Sequence, residues 1–174
     1  VNFNSVSYIC HFVYENDKFF QLGETVQGFN ANNVVISGII NDADGSIVAP
    51  SGLAAAVVGI LSFVKKGSHL LVTDSAYGST RNFISKFLPT IGVEVEFYNP
   101  RIKPKDFEKL IKENTSLVYF DSPGSLTFEL QDFPKLCQIT NRLNIKSIAD
   151  NTWGTILGQN PLNLGIDVVI ESYT

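Results

Sequence analysis

The pattern of apolar and polar positions changes near residue 45. Beyond it, short runs rich in Val and Ile alternate with longer amphipathic runs, and Gly, Asp, Asn or Pro separate them. The short runs predict strands at 46–49, 69–73, 93–98, 116–121, 146–150 and 167–170. The longer runs predict helices at 53–65, 79–88, 104–112 and 133–142. This alternation predicts an α/β fold in which helices cover both faces of a mostly parallel sheet.

Residues 1–44 show no such alternation. Their aromatic side chains are scattered among Asn and Ser without a regular period, and an apolar run at 34–40 precedes a turn at 41–45. We interpret 1–44 as an amino-terminal segment, either an arm or a degraded stretch, and 45–174 as the α/β portion. A length of 174 residues suits one domain with a sizeable core.

Composition narrows the choice of partners. The net charge of −4 and the absence of a large basic cluster argue against nucleic acid. The longest nearly apolar stretch, 53–64, is too short to span a bilayer, and the first residues do not resemble a secretory signal, so we expect no membrane partner and a cytoplasmic protein. Cys10 and Cys137 are far apart, as are His11 and His69, which predicts free thiols and no metal site.

The segment Pro50-Ser51-Gly52-Leu53 joins a predicted strand to an apolar helix. The backbone N–H groups of Gly52 and Leu53 would face an anion such as phosphate, aided by the helix dipole. A simpler interpretation is a serine cap followed by a turn glycine. Taken alone, the segment leaves both open.

Four further residues follow or end predicted strands, where ligands bind in open α/β sheets. Tyr77 comes after the strand at 69–73, and Asp150 ends the strand at 146–150. Ser172 and Thr174 come after the strand at 167–170, and two hydroxyls spaced in this way can point to one side of an extended chain. Packing for Tyr77 and capping for Asp150 are the ordinary alternatives.

Five motifs follow one another along the chain: Pro50-Ser51-Gly52-Leu53, Tyr77-Gly78, Asp121-Ser122-Pro123-Gly124-Ser125, Asp150-Asn151-Thr152-Trp153 and Ser172-Tyr173-Thr174. In this order and at these intervals they resemble the pyridoxal-phosphate (PLP) enzymes of cysteine and methionine metabolism, most closely the cystathionine beta-lyases. The resemblance covers 45–174 almost continuously. It implies the three-layer α/β architecture of the large PLP-binding domain of fold-type I enzymes.

The resemblance also implies a role for each candidate residue. Backbone N–H groups of Gly52 and Leu53, with the hydroxyls of Ser172 and Thr174, would hold the cofactor phosphate. Tyr77 would stack on the pyridine ring and take part in proton transfer as a catalytic residue. Asp150 would bind the pyridine nitrogen and keep it protonated.

The implied activity is carbon–sulfur cleavage of L-cystathionine to homocysteine, pyruvate and ammonia in methionine biosynthesis. The implied partners are a small amino-acid substrate and further copies of the chain, since the family forms homotetramers built from dimers. Gly124-Ser125 favours a beta-lyase, because the related gamma-lyases and gamma-synthases more often carry Asn-Pro at this place. Those two activities remain alternatives.

The chain departs from the family in three respects. The family's PLP-binding lysine directly follows the Ser-x-Thr motif, whereas this sequence ends at Thr174. The carboxyl-terminal domain, with its substrate-binding arginine, and the amino-terminal Tyr-x-Arg pair have no match. We therefore weigh an enzyme segment against an inactive, truncated product. A Rossmann-type nucleotide binder is disfavoured, since no Gly-x-Gly-x-x-Gly joins a strand to a helix.

Overall fold

The computed structural model describes residues 9–14, 25–29, 35–39, 46–49 and 51–173. Within these ranges the strands are β1 (Ile9–Tyr14), β2 (Thr25–Phe29), β3 (Val35–Ile39), β4 (Ser46–Ala49), β5 (His69–Thr73), β6 (Glu94–Tyr98), β7 (Thr115–Asp121), β8 (Lys146–Asp150) and β9 (Val168–Tyr173). The helices are α1 (Gly52–Phe63), α2 (Gly78–Lys86), α3 (Pro104–Glu108), α4 (Phe133–Arg142) and α5 (Thr155–Gly158), with 3-10 turns at Leu88–Ile91 and Leu162–Leu164.

The main sheet of the described part has the strand order β4-β1-β9-β8-β7-β5-β6. Its five strands from β9 to β6 are parallel to one another. Strand β1 is antiparallel to both of its neighbours, β4 and β9, so β4 runs in the same direction as the parallel strands. Strands β2 and β3 form a separate antiparallel pair. The predicted α/β class with a mostly parallel sheet is confirmed.

Helices cover the two faces of this sheet because side chains alternate between the faces along each strand. Tyr119 and Ile148 pack in a core cluster that includes residues of α1 and α2. Their neighbours in sequence, Phe120 and Ala149, pack in a second cluster with residues of α3 and α4. The molecule therefore has three layers. On β7 and β8, residues at odd and even distances from Tyr119 and Ile148 lie on opposite faces of the sheet.

The helix predicted over 104–112 is shorter in the structure and ends at Glu108. The N–H groups of residues 109–111 each donate to a carbonyl three residues earlier. This is the tighter spacing of a 3-10 turn, which leads the chain towards the start of β7 within a few residues.

Strand β9 is longer than the predicted strand at 167–170. It continues to Tyr173 because β1 pairs with it along its whole length, from Ile9 opposite Tyr173 to Tyr14 opposite Val168. The partner strand comes from the segment 1–44, where the pattern predicted no elements. Ser172 therefore lies inside a strand, and the expectation that it lies past the strand end is wrong.

The longest helix in the described part, α1, has 12 residues. A membrane-spanning helix needs about 20 apolar residues, and none of the described helices reaches that length.

Candidate functional site

The carboxyl ends of β4, β5, β7, β8 and β9 lie at one edge of the sheet, which we call the carboxyl edge. Five of the predicted site residues are found there, Leu53 among them as the second residue of α1. Gly52 follows β4 and Tyr77 follows β5, while Asp150 ends β8 and Ser172 lies near the end of β9. Thr174, the predicted companion of Ser172, lies outside the described residues.

The first turn of α1 presents free backbone donors at this edge. Ser51 caps the helix, since its Oγ accepts the N–H of Ala54 at 3.0 Å and its carbonyl accepts the N–H of Ala55 at 3.0 Å. The N–H groups of Gly52 and Leu53 have no acceptor among the described residues. The serine cap and the anion site, weighed above as alternatives, are therefore compatible. A helix start with unbonded N–H groups favours an anion.

The register of β1 relates Ser172 to the start of α1. Cys10 is paired with Ala49 on one side and with Ser172 on the other. Strand spacing of about 4.8 Å places the Cα atoms of Ala49 and Ser172 roughly 10 Å apart. Ser172 is two residues beyond Ile170, which packs in the cluster on the α1 face. Alternation therefore assigns Ser172 to the same face as Gly52.

Tyr77 stands immediately before α2, and 52% of its surface is exposed. Its backbone N–H donates to Oδ2 of Asp121 at 2.8 Å. The N–H of Ser125 donates to the carbonyl of Ser75 at 3.0 Å, which attaches the loop after β7 to the loop that carries Tyr77. The exposed ring is thus mounted on a backbone that is bound to the end of β7.

Asp121 and Asp150 are register partners at the ends of β7 and β8. Burial, and then the negative charge of Asp150, raise the pKa of Asp121 to about 8. Burial likewise raises the pKa of Asp150, opposed by hydrogen bonds from Thr152. Among the described residues no Lys or Arg forms an ion pair with either carboxyl group. Within the part of the chain that the structure describes, the pair is therefore an acidic site without a cation of its own.

The turn after β8 holds the Asp150 side chain in place. The N–H of Thr152 donates to Oδ1 of Asp150 at 3.1 Å, and Oγ1 of Thr152 accepts the N–H of Ser172 at 3.0 Å. Asn151 is fully buried and donates to Oε1 of Glu171 at 2.6 Å. These bonds attach the turn to β9 and fix the orientation of the carboxyl group.

The sequence interpretation assigned no role to Asp121 or Thr152. Asp121 directly follows the apolar run 117–120, just as Asp150 ends its own predicted strand. The sequence signal that identified Asp150 therefore also applies to Asp121. The contacts of Thr152 depend on the neighbouring strand β9, and nothing in the local sequence indicates them.

The sequence profile of the Cys/Met metabolism PLP-dependent enzymes matches residues 33–174. The chain therefore belongs to this family, whose cofactor is pyridoxal phosphate.

Two relatives illustrate the match. A Rhizobium johnstonii protein provisionally named a cystathionine beta-lyase is 45% identical over 130 residues, which are 75% of this chain and 33% of that protein. The cystathionine beta-lyase of Escherichia coli is 36% identical over 132 residues, again 75% of this chain and 33% of the relative. The chain thus spans about a third of the length of the curated relatives it matches.

A solved structure shares the fold. A Campylobacter jejuni protein, crystallised with N′-pyridoxyl-lysine-5′-monophosphate, superposes with a TM-score of 0.65 at 29% identity, over 68% of this chain and 29% of that one. Other named activities occur among the similar proteins. They include a Wolbachia L-alanine/L-glutamate racemase, a Bacillus subtilis cystathionine gamma-lyase and a Wolinella succinogenes O-acetylhomoserine sulfhydrylase. Membership of the family therefore does not by itself select the reaction.

Proposed function

We propose that the carboxyl edge holds pyridoxal phosphate and that the protein is a carbon–sulfur lyase, cleaving L-cystathionine to homocysteine, pyruvate and ammonia. The observation that carries the cofactor proposal is the acidic pair Asp121 and Asp150. Among the described residues this pair has no cationic partner, and it shares an edge and a face with the N–H groups of α1 that have no acceptor there. A ligand with a cationic ring nitrogen and an anionic phosphate complements both features.

The phosphate end belongs at the start of α1. The N–H groups of Gly52 and Leu53 are unbonded in the described structure and would donate to phosphate oxygens. The hydroxyl of Ser172, on the same face across β1, would donate from the other side, and Thr174 is proposed as a further donor. Hydrogen bonds to a charged group contribute about 1.5–3 kcal/mol each.

The ring end belongs beside Asp150. Its carboxylate would accept the N–H of the ring nitrogen, and each unit by which it raises the pKa of that nitrogen is worth about 1.4 kcal/mol. Thr152 orients the carboxylate for this bond. When bound, pyridoxal phosphate supplies an electron-withdrawing ring that accepts electron density from the substrate bond that is broken.

Tyr77 is proposed as the residue that stacks on the ring. Half of its surface is exposed, and its backbone is bound to the end of β7 beside β8. Aromatic stacking contributes about 0.5–1.5 kcal/mol beyond the area that it buries. We assign to its hydroxyl a role in moving a proton at the substrate.

Cleavage of cystathionine is supported by the names of the two relatives and by Gly124-Ser125. Gly124 is required by packing, because a Cβ atom there would lie 2.7 Å from Cβ of Ser75. Gamma-lyase or gamma-synthase activity is the second candidate, supported by the gamma-lyase among the similar proteins. From the family resemblance we also infer an amino-acid substrate, a cytoplasmic location and assembly into homotetramers.

Cofactor binding can be tested on the 174-residue chain with pyridoxine 5′-phosphate, which has the ring and the phosphate but no aldehyde to react with surface lysines. We expect saturable binding by calorimetry, competition by inorganic phosphate, and weaker binding of pyridoxine. Absence of binding, or binding that phosphate does not reduce, would contradict the cofactor proposal.

The choice of reaction can be tested by product analysis. The purified protein, in a form that continues past Thr174 with the family's PLP-binding lysine, is incubated with L-cystathionine and pyridoxal phosphate, and the keto acids are separated. Beta-elimination yields pyruvate with homocysteine, whereas gamma-elimination yields 2-oxobutyrate with cysteine. We expect pyruvate. Predominant 2-oxobutyrate would replace the beta-lyase proposal with the gamma-lyase, and absence of both would overturn lyase activity.

A further inference from the structure

We propose that Asp121 is a positioning residue of this site, which fixes the backbone at Tyr77 so that the aromatic ring stands beside Asp150. The inference rests on the proposed function, because it gives the Tyr77 ring a ligand to meet. It adds a residue to which the family resemblance gave no role.

The first support is the contrast in burial between the two residues. Asp121 is 3% exposed and Tyr77 is 52% exposed, yet the Tyr77 N–H donates to Oδ2 of Asp121 at 2.8 Å. Water does not compete for a buried acceptor as it does at the surface, so the bond holds the backbone firmly. An exposed ring gains a defined position from a buried anchor.

The second support is that the anchor itself is held. The carbonyl of Asp121 accepts a hydrogen bond from Nε2 of Gln131 at 3.1 Å, and Oε1 of Gln131 accepts the hydroxyl of Tyr98 at 2.7 Å. Gln131 and Tyr98 are both buried. The chain of bonds runs from the core to Tyr77 through Asp121, so the position of Tyr77 is set by the sheet as well as by its own loop.

The third support is the place of Asp121 beside Asp150. The two residues are register partners on adjacent strands, and burial, followed by the negative charge of Asp150, raises the pKa of Asp121 to about 8. Oδ2 of Asp121 accepts the Tyr77 N–H. The anchor of Tyr77 therefore lies on the strand next to the one that ends at Asp150.

Three variants of the 174-residue chain separate this role from general stability. Asp121→Asn keeps an acceptor oxygen, and Asp121→Ala removes it. Asp167→Ala is the matched control, because Oδ2 of Asp167 also accepts a backbone N–H, that of Ser147 at 2.9 Å, at the opposite edge of the sheet.

The first readout needs no ligand. Amide hydrogen exchange at Tyr77 should be slow in the wild type and in Asp121→Asn, at least about tenfold faster in Asp121→Ala, and unchanged in Asp167→Ala. Equal exchange in the wild type and Asp121→Ala would overturn the inference. So would equal acceleration in Asp121→Ala and Asp167→Ala, since that indicates a general loss of stability.

The second readout is the affinity for pyridoxine 5′-phosphate. Asp121→Ala and Tyr77→Ala should each lose about tenfold or less, and the double variant should lose no more than Tyr77→Ala alone. Asp121→Asn, which keeps an acceptor oxygen, should have an affinity within about threefold of that of the wild type. Additive losses would show that Asp121 does not act through Tyr77. If the wild type binds no ligand, the proposed function fails, and the exchange readout alone decides whether Asp121 positions Tyr77.

Discussion

Two carboxyl groups on adjacent strands, one of them buried, are costly unless a proton or a cation reduces their charge. Asp121 and Asp150 are such a pair, and the described residues supply no cation. Because such a pair lowers the stability of the fold, it is expected at a functional site. The cost should therefore be measurable in the free protein.

We predict that Asp121 makes stability fall as the pH rises. Its pKa is about 8 in the folded chain and near the ordinary 3.8 when unfolded, so the folded state keeps a proton that the unfolded state releases. The free energy of unfolding should decrease between pH 4 and 8, by at most about 1.4 kcal/mol per pH unit. Urea unfolding at several pH values measures this slope.

The window from pH 6.5 to 8 gives the clearest comparison. Burial lowers the pKa of His69 below its ordinary value of 6.5. The contribution of His69 to the pH dependence of stability therefore has the opposite sign, and it is confined to pH values below 6.5. Asp121→Asn should have a shallower slope than the wild type within this window. Equal slopes would contradict a raised pKa at Asp121.

The Tyr77 ring is predicted to act mainly through its face. Tyr77→Phe should change the affinity for pyridoxine 5′-phosphate by less than about threefold, whereas Tyr77→Ala should weaken it by about 2- to 12-fold. Phe87→Ala is the control, because Phe87 is an exposed aromatic residue at the far end of α2. A loss in Tyr77→Phe as large as in Tyr77→Ala would assign the effect to the hydroxyl.

Among residues, the location of Asp150 and Tyr77 at the carboxyl edge could be predicted, because one ends and the other follows a strong strand pattern. Asp121 carries the same local signal, but its contact with Tyr77 joins positions 44 residues apart. Pairings at that distance depend on strand order, which the local pattern does not encode.

At the scale of elements, short strands flanked by polar or turn residues were predicted well. The bounds of β4, β5, β8 and α4 agree with the predicted ranges, because Gly, Asp, Asn or Pro lies next to each of them. The end of β9 was not predicted, since it is set by pairing with β1. The start of α1 was placed within one residue, and the proposed phosphate site depends on its N–H groups that are unbonded among the described residues.

Gly52→Pro tests the helix start directly. Proline suits the first helical position, and the extended backbone of Ser51 (φ −162°, ψ 161°) suits a following proline, so we expect stability to change by less than about 1 kcal/mol. The substitution removes one N–H group. Affinity for pyridoxine 5′-phosphate should therefore fall about tenfold or more, while affinity for pyridoxine should stay constant.

The control for this prediction is Gly52→Ala, which keeps the N–H group. Isothermal titration of both variants with both ligands gives four affinities. Equal affinity of Gly52→Pro and Gly52→Ala for the phosphate ester would show that the Gly52 N–H does not bind phosphate.

At the scale of the molecule, β1 joins the two sides of the proposed phosphate site. It pairs with β4, which leads into α1, and with β9, which carries Ser172. The parallel strands β7 and β8 then bring Asp121 and Asp150 to the same edge. The sequence predicted the class of this sheet, but the insertion of an antiparallel strand from the segment 1–44 is a long-range pairing that periodicity does not show.

The central claim is that this edge binds the cofactor ring through Asp150. The most direct measurement is the ¹⁵N chemical shift of the ring nitrogen of labelled pyridoxine 5′-phosphate, bound to the wild-type chain and to Asp150→Asn, over a range of pH. We predict that the wild type keeps the nitrogen protonated to a pH at least about one unit above that of the free ligand, and that Asp150→Asn abolishes this difference. Titration of the bound nitrogen at the same pH in both proteins would contradict the account.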